Sequence, residues 1–271
     1  MKTICLFAIH RTGTNYLGSV LKQFPSLAAF DEVFHERQVY GLKPVHLKAI
    51  ANLAGREFTG SDDPALIAWA RANPLAMVEV LQRVARRKDK QGVYFKVFVH
   101  QWQQPLEDVA AALAREPGFV PVILQRRCLD VYVSYRKAEA AGAYKHVDTT
   151  DHPVTLDAGQ YAHWARPARE WYQRVDAALR TAGVEPVRAR YEQDLDRPAD
   201  DVAAHWSRLL GLAGPVPALD RASVLQRQDR SDDLAAKVAN LAEFTAALRA
   251  RGLWDEAQDV FLPGNPWAKA R

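Results

Sequence analysis

The chain has 271 residues, 48% of them hydrophobic and 25% charged, with a formal net charge of +4. This is the composition of an ordinary globular protein, long enough for one large domain or two small ones, and its small charge fits an anionic small molecule better than a nucleic-acid surface. Two cysteines, Cys5 and Cys128, argue against a disulfide scaffold, the first apolar run is too short for a signal-peptide core, and no segment approaches a transmembrane span, so a cytoplasmic location is expected.

The first element is Ile4-Cys5-Leu6-Phe7-Ala8-Ile9, followed by His10-Arg11-Thr12-Gly13-Thr14-Asn15 and Tyr16-Leu17-Gly18-Ser19-Val20-Leu21. Six apolar residues rich in strand formers predict a buried strand. After the polar turn, Tyr16, Leu17, Val20, Leu21 and Phe24 recur at helical intervals until Pro25. A strand, a tight loop and a helix aim backbone N–H groups and a positive dipole end at one point, which suits a phosphate or sulfate. Arg11 adds a fixed charge, and Thr12 and Thr14 add hydroxyls. In so short a string, an ordinary strand-turn-helix corner with a surface arginine would read the same. The Gly-Lys-Ser/Thr ending of a nucleotide triphosphatase loop is absent, so the usual ATP reading is not supported.

Residues 26–48 carry few regular signals, although Phe30-Asp31-Glu32-Val33-Phe34-His35-Glu36 sets acids and a histidine between apolar positions. Asp63-Pro64 and Asn73-Pro74 are helix starts, each a cap residue followed by proline at the first helical position. The two helices look like an insertion that shapes a pocket or contacts a partner. At the end of the second, Arg83, Arg86, Arg87, Lys88 and Lys90 read as a solvated helix end.

Residues 92–99 predict a strand with Lys96 inside it; that ammonium either meets an anion or snorkels to water from a strand edge or end. A helix over 105–115 and a strand over 119–125 follow. Strands alternating with helices argue for a parallel sheet with helices on both faces, which binds ligands at the carboxyl ends of its strands. Arg126-Arg127 then share an edge with the first loop, and residues 128–135 read as the helix entering from that edge. Asp157 with Gln160 makes a capping box for a long helix whose apolar face is Trp164, Ala168, Trp171, Val175 and Leu179, with a kink expected at Pro167. Residues 186–191 predict a fourth strand and 198–210 a helix closed by Gly211. Ser231 is expected to cap a last long helix reaching about Arg251.

Four of these segments resemble the sulfotransferases that use 3′-phosphoadenosine 5′-phosphosulfate (PAPS). Residues 9–17, Ile-His-Arg-Thr-Gly-Thr-Asn-Tyr-Leu, look like that family's 5′-phosphosulfate loop, in the Arg-Thr-Gly form of the carbohydrate and bacterial branches. Residues 123–135 are similar to the 3′-phosphate motif, in which an arginine ends a strand and a serine follows eight residues later, as Arg126 and Ser134 do. Tyr191-Glu192-Gln193-Asp194-Leu195 resembles the family's Tyr-Glu-Asp-Leu, and residues 30–35 resemble the acidic segment that supplies the catalytic base in bacterial members. Cys128 departs from the proline usual in the 3′ motif. The glycine-rich C-terminal nucleotide loop of the animal enzymes is also missing, a role that residues 225–230, with Arg227, are the candidates to fill.

The resemblance implies a single α/β domain over residues 1–271, a three-layer P-loop-like parallel sheet flanked by helices. Residues of about 50–90 would be a helical insertion and 225–271 a C-terminal helical segment. It implies metal-free sulfuryl transfer from PAPS to an acceptor hydroxyl, leaving 3′-phosphoadenosine 5′-phosphate (PAP). Arg11 would be the main cation at the leaving oxygen, with Thr12, Gly13, Thr14, Asn15 and Tyr16 around the 5′-phosphosulfate and Arg126, Ser134 and Arg227 elsewhere on the nucleotide. Glu32 is the first choice for the base and His35 the second. Lys96 and His100 are the candidates for acceptor binding. The acceptor itself, whether sugar, lipid or small metabolite, is not written in the sequence; no nucleic acid or membrane span is expected, and a homo-oligomer stays open. The rivals are a P-loop-like nucleotide kinase and a catalytically inactive anion-binding module.

Overall fold

Five strands pair in parallel in the order β2-β3-β1-β4-β5, as seen in a computed structural model that describes residues 1–263 apart from 100, 102, 143–147, 226–230 and 232. In chain order the elements are β1 (Lys2–Phe7), α1 (Thr14–Leu21), β2 (Leu27–Ala29), α2 (Pro44–Ala54), α3 (Pro64–Ala72), α4 (Pro74–Arg86) and β3 (Gly92–Val97). They continue with α5 (Leu106–Ala114), β4 (Phe119–Gln125), α6 (Cys128–Ala140), α7 (Ala158–Thr181), β5 (Val187–Arg190), α8 (Tyr191–Asp194) and α9 (Ala199–Leu209). A 3₁₀ turn (Arg221–Ser223) leads to α10 (Leu234–Lys237), α11 (Leu241–Ala250) and α12 (Trp254–Gln258).

A parallel sheet covered on both faces favours nearly continuous apolar strands, and β1 and β3 follow this except at Lys2 and Thr3 in β1 and Lys96 in β3. Alternate residues serve opposite layers. Ile4, Leu6, Tyr94, Val122 and Leu124 pack under α1 and α9, whereas Cys5, Phe7, Val93, Phe95, Val97 and Ile123 pack under α4, α5, α6 and α7. Thus β1 sends its helix to one face, while its neighbours β3 and β4 send α5 and α6 to the other. A crevice opens at the carboxyl ends of adjacent strands whose connections diverge in this way. The loop after β1 and the residues after β4 meet there.

Residues 26–48, which lack clear periodicity, hold a strand and the start of a helix. β2 is a three-residue strand on the sheet edge, too short to show alternation. α2 starts at Lys43-Pro44 without an Asx or Ser/Thr cap; the Lys43 N–H donates instead to His46 Nδ1 at 2.9 Å. In the segment expected as an insertion, α4 packs on β3 and contributes Met77, Val78, Val80, Leu81, Val84 and Ala85 to the larger core, so it covers the sheet directly. Asp63 caps α3, accepting from Ala65 N at 2.8 Å, but the Asn73 amide turns back to Trp69 O and leaves α4 without a side-chain cap.

Farther along, Asp157 accepts from Gln160 N at 2.8 Å, and α7 continues through Pro167. The Gln160 side chain pairs with Arg136, so only half of the expected capping box forms. The last long helix expected from Ser231 is broken. Asp233, not Ser231, caps α10, and Val238 leaves the helical region to form a parallel bridge with Val154. Asn240 then clamps Leu156 through its N–H and C=O, both at 2.9 Å, before α11 begins. A tertiary bridge and a side chain mimicking a strand partner override the local helical pattern. Among the described residues, no helix is long and apolar enough to cross a membrane.

Candidate functional site

The loop between β1 and α1 is strained where it turns. Arg11 has φ 71°, a left-handed conformation costly for a residue with a Cβ, and Gly13 follows at φ 87° as the N-cap of α1. At Gly13 the need for glycine is double: an added Cβ would lie 2.6 Å from Tyr191 Cδ2 and 3.2 Å from Leu195 Cδ1. With glycine as N-cap, no N-cap side chain accepts from the first-turn amides of Thr14, Asn15 and Tyr16, which have no intrahelical acceptor. Thr12 is fully buried and its hydroxyl donates to Ile9 O at 2.8 Å, locking the loop from within.

Three residues from the two phosphate-type motifs converge here. Arg11 Nε donates to Ser134 Oγ at 3.0 Å, and Arg126 Nη1 donates to Arg11 O at 3.2 Å. The Arg126 guanidinium lies 4.3 Å above the Tyr191 ring, and its buried Nε has no acceptor among the described residues. Tyr191 therefore supports the site twice, as a floor under Gly13 and as a platform for Arg126. The rest of its motif is structural. Glu192 accepts from Arg127 N at 2.9 Å, and Asp194 accepts from Arg190 N at 2.7 Å and pairs with His205 Nε2 at 2.8 Å.

Other expected residues face elsewhere or have prior partners. The Tyr16 hydroxyl donates to Arg197 O at 3.2 Å, so what it offers the loop is its backbone amide. Asn15 Oδ1 accepts from Lys96 Nζ at 2.9 Å. Lys96 is 1% exposed on a strand inside the sheet, and its ammonium also meets Asp31 Oδ1 at 3.2 Å; the buried lysine has found its anion. Asp31 pairs as well with Lys22. His100 and Arg227 lie outside the described residues.

Glu32 and His35 share one turn, closed by His35 N donating to Glu32 O at 3.3 Å. Glu32 Oε2 accepts from Gln101 Nε2 at 3.0 Å. His35 Nδ1 accepts from Arg37 N at 3.1 Å, and its ring meets Tyr40 edge-on with centroids 5.1 Å apart. His10 completes this corner, its ring centroid 4.6 Å from that of Phe98. It is solvent-accessible, but the recess strips away enough water to push its pKa below 6.5; Glu32 opposes the shift, while His35, Lys96 and Arg11 add to it.

Sequence reasoning did not reach His10, Gln101 or the clamp from α7. Trp171 Nε1 donates to Ala8 O at 3.1 Å, while the Tyr172 hydroxyl donates to Leu124 O at 2.7 Å and accepts from Ile9 N at 3.2 Å. Two adjacent residues thus pin the ends of β1 and β4, which carry Arg11 and Arg126. Their helical spacing showed that Trp171 belongs to a core face, but the polar roles depend on tertiary contacts alone.

The Asp31–Lys96 pair supplies a stability test. Burial alone would raise the Asp31 carboxyl, but Lys96 and Lys22 outweigh it and hold the group below 3.8. A carboxyl depressed in the fold stabilises at pH above its unfolded value, and that contribution is lost as pH falls through the depressed folded value. Asp31→Asn should therefore cost about 3 kcal/mol near pH 7, since it strips the buried Lys96 of its counter-charge. Urea unfolding across a pH series should show wild type losing stability below about pH 4, with a shallower loss in the variant. Equal stabilities near pH 7 would show the pair to be dispensable.

Chemically, the corner offers uncapped helix amides, two arginines and a serine hydroxyl around one strand-end crevice, a donor set suited to oxyanions. A carboxylate with one anchored oxygen lies on the neighbouring turn. No known family model matches this chain, and no curated protein matches it.

Proposed function

We propose that the protein is a sulfotransferase that takes its sulfuryl group from PAPS, built on a P-loop-like version of the parallel sheet. The observation that carries the reading is the meeting of Arg11 with both Ser134 and Arg126, residues drawn from two motifs more than a hundred positions apart. The fit to a nucleotide bearing phosphates is supported by the buried Nε of Arg126, which has no acceptor among the described residues, and by the first turn of α1, which starts at a glycine with no capping side chain.

PAPS supplies the sulfuryl group when bound. This chain's residues hold and orient it. Arg126 and Ser134 bind the 3′-phosphate, and the amides of residues 13–16 bind the 5′ end. Arg11 stabilises negative charge developing on the leaving oxygen, a task suited to a guanidinium already oriented by its bond to Ser134. Glu32 accepts the proton of the acceptor hydroxyl.

Calorimetry with PAP and 5′-AMP tests this reading. A charge-assisted, bidentate 3′-phosphate contact predicts about tenfold to a hundredfold tighter binding of PAP, and Arg126→Met should erase the difference. Equal affinities for the two nucleotides in wild type would reject the reading. Tight binding of Mg²⁺-ATP would favour a kinase in its place.

A further inference from the structure

Gln101 is a polar side chain with little reason to be buried unless it is bonded at both ends, and it is 7% exposed. It lies just beyond β3, in the chain between β3 and α5. Its Oε1 accepts from Phe98 N at 3.0 Å. That bond settles which way round the amide sits, because a backbone N–H can only donate. The Nε2 end must then be the one that meets Glu32 Oε2, at 3.0 Å, and it can only donate there. The segment carrying Gln101 is itself tied down, since Arg71 Nε of α3 donates to Gln101 O at 3.1 Å and Gln103 N donates to Arg71 O at 3.0 Å.

The consequence for Glu32 is specific. One carboxylate oxygen is held by an oriented donor, and among the described residues no other hydrogen bond or ion pair engages Oε1. A general base needs that combination: a fixed carboxylate with lone pairs still open. We propose that Gln101 is the positioning residue of the site, holding Glu32 by one oxygen so that the other is available to the acceptor's proton. This rests on the reading of Glu32 as the base. The titratable and charged neighbours of the corner are His10 from the loop after β1, His35 from the same turn as Glu32, Lys96 and Tyr94 from β3, and Arg11.

Two measurements test it, one of them independent of turnover. In ¹⁵N-labelled protein, the Gln101 side-chain amide signal, assigned by its loss in Gln101→Met, should move as the pH is lowered through the carboxylate range in wild type and stay still in Glu32→Gln. An amide signal indifferent to Glu32 would overturn the proposal.

The second measurement uses Gln101→Glu, which keeps the acceptor for Phe98 N but replaces the donor to Glu32 with a second carboxylate. Turnover should fall about tenfold to a hundredfold, with the acid limb of the pH–rate profile displaced to higher pH and PAP affinity unchanged. Wild-type turnover and an unmoved acid limb in that variant would also overturn it. A wild type that fails to prefer PAP over 5′-AMP counts against the sulfotransferase reading alone, because the amide titration still decides whether Gln101 holds Glu32.

Discussion

Arg11→Met should lower turnover by about a thousandfold while leaving PAP affinity within a few-fold of wild type. Methionine keeps the unbranched stem, so the variant retains much of the packing and the same left-handed backbone at φ 71°. It removes the guanidinium and, with it, the donor to Ser134 Oγ at 3.0 Å. PAP lacks the sulfuryl group and would still meet Arg126 and Ser134, so an effect confined to turnover places the role of Arg11 in the transition state. Loss of PAP binding with turnover preserved at saturating donor would make Arg11 a docking residue. A strained arginine is costly to keep. The backbone energy stored at residue 11 makes sense if the guanidinium has to leave the loop in one particular direction.

What the sequence disclosed and what it hid differ in range. The strand apolar runs, the turn at Gly13 and the eight-residue spacing of Arg126 and Ser134 are local patterns, and each lies where local physics puts it. Lys96 could be flagged as anomalous in its strand, but its partner Asp31 lies 65 positions away in sequence order and its second partner, Asn15, 81 positions away. β2 escaped notice because three residues on a sheet edge show no period, and α2 because His46 takes over the work of a cap residue.

The C-terminal break is the clearest case of tertiary override. Nothing local distinguishes Val238 from its helical neighbours until Val154 pairs with it and Asn240 holds Leu156. The same holds at the site. Gln101 and Tyr172 look like any core or surface residue until the ends of β1, β3 and β4 are brought to one edge.

Glu32→Gln should nearly abolish turnover, by about a hundredfold or more, with PAP binding intact, whereas His35→Asn should keep substantial activity. The two side chains lie on one turn, so position alone does not choose between them. Hydrogen bonding does. His35 Nδ1 accepts the Arg37 N–H at 3.1 Å, and a neutral imidazole whose Nδ1 lone pair is engaged carries its proton on Nε2. Neither nitrogen then has a lone pair to offer unless the Arg37 bond breaks first. Glu32 has one oxygen anchored by Gln101 at 3.0 Å and a second that no described residue engages. Gln at position 32 keeps the shape and can still bond Gln101, but it cannot take a proton. His35→Asn keeps an acceptor near the place of Nδ1 and so preserves the turn. Turnover and calorimetry on the two variants decide the matter: a dead His35→Asn beside an active Glu32→Gln would exchange the roles, requiring the Arg37 bond to open during the reaction while leaving the two phosphate motifs untouched.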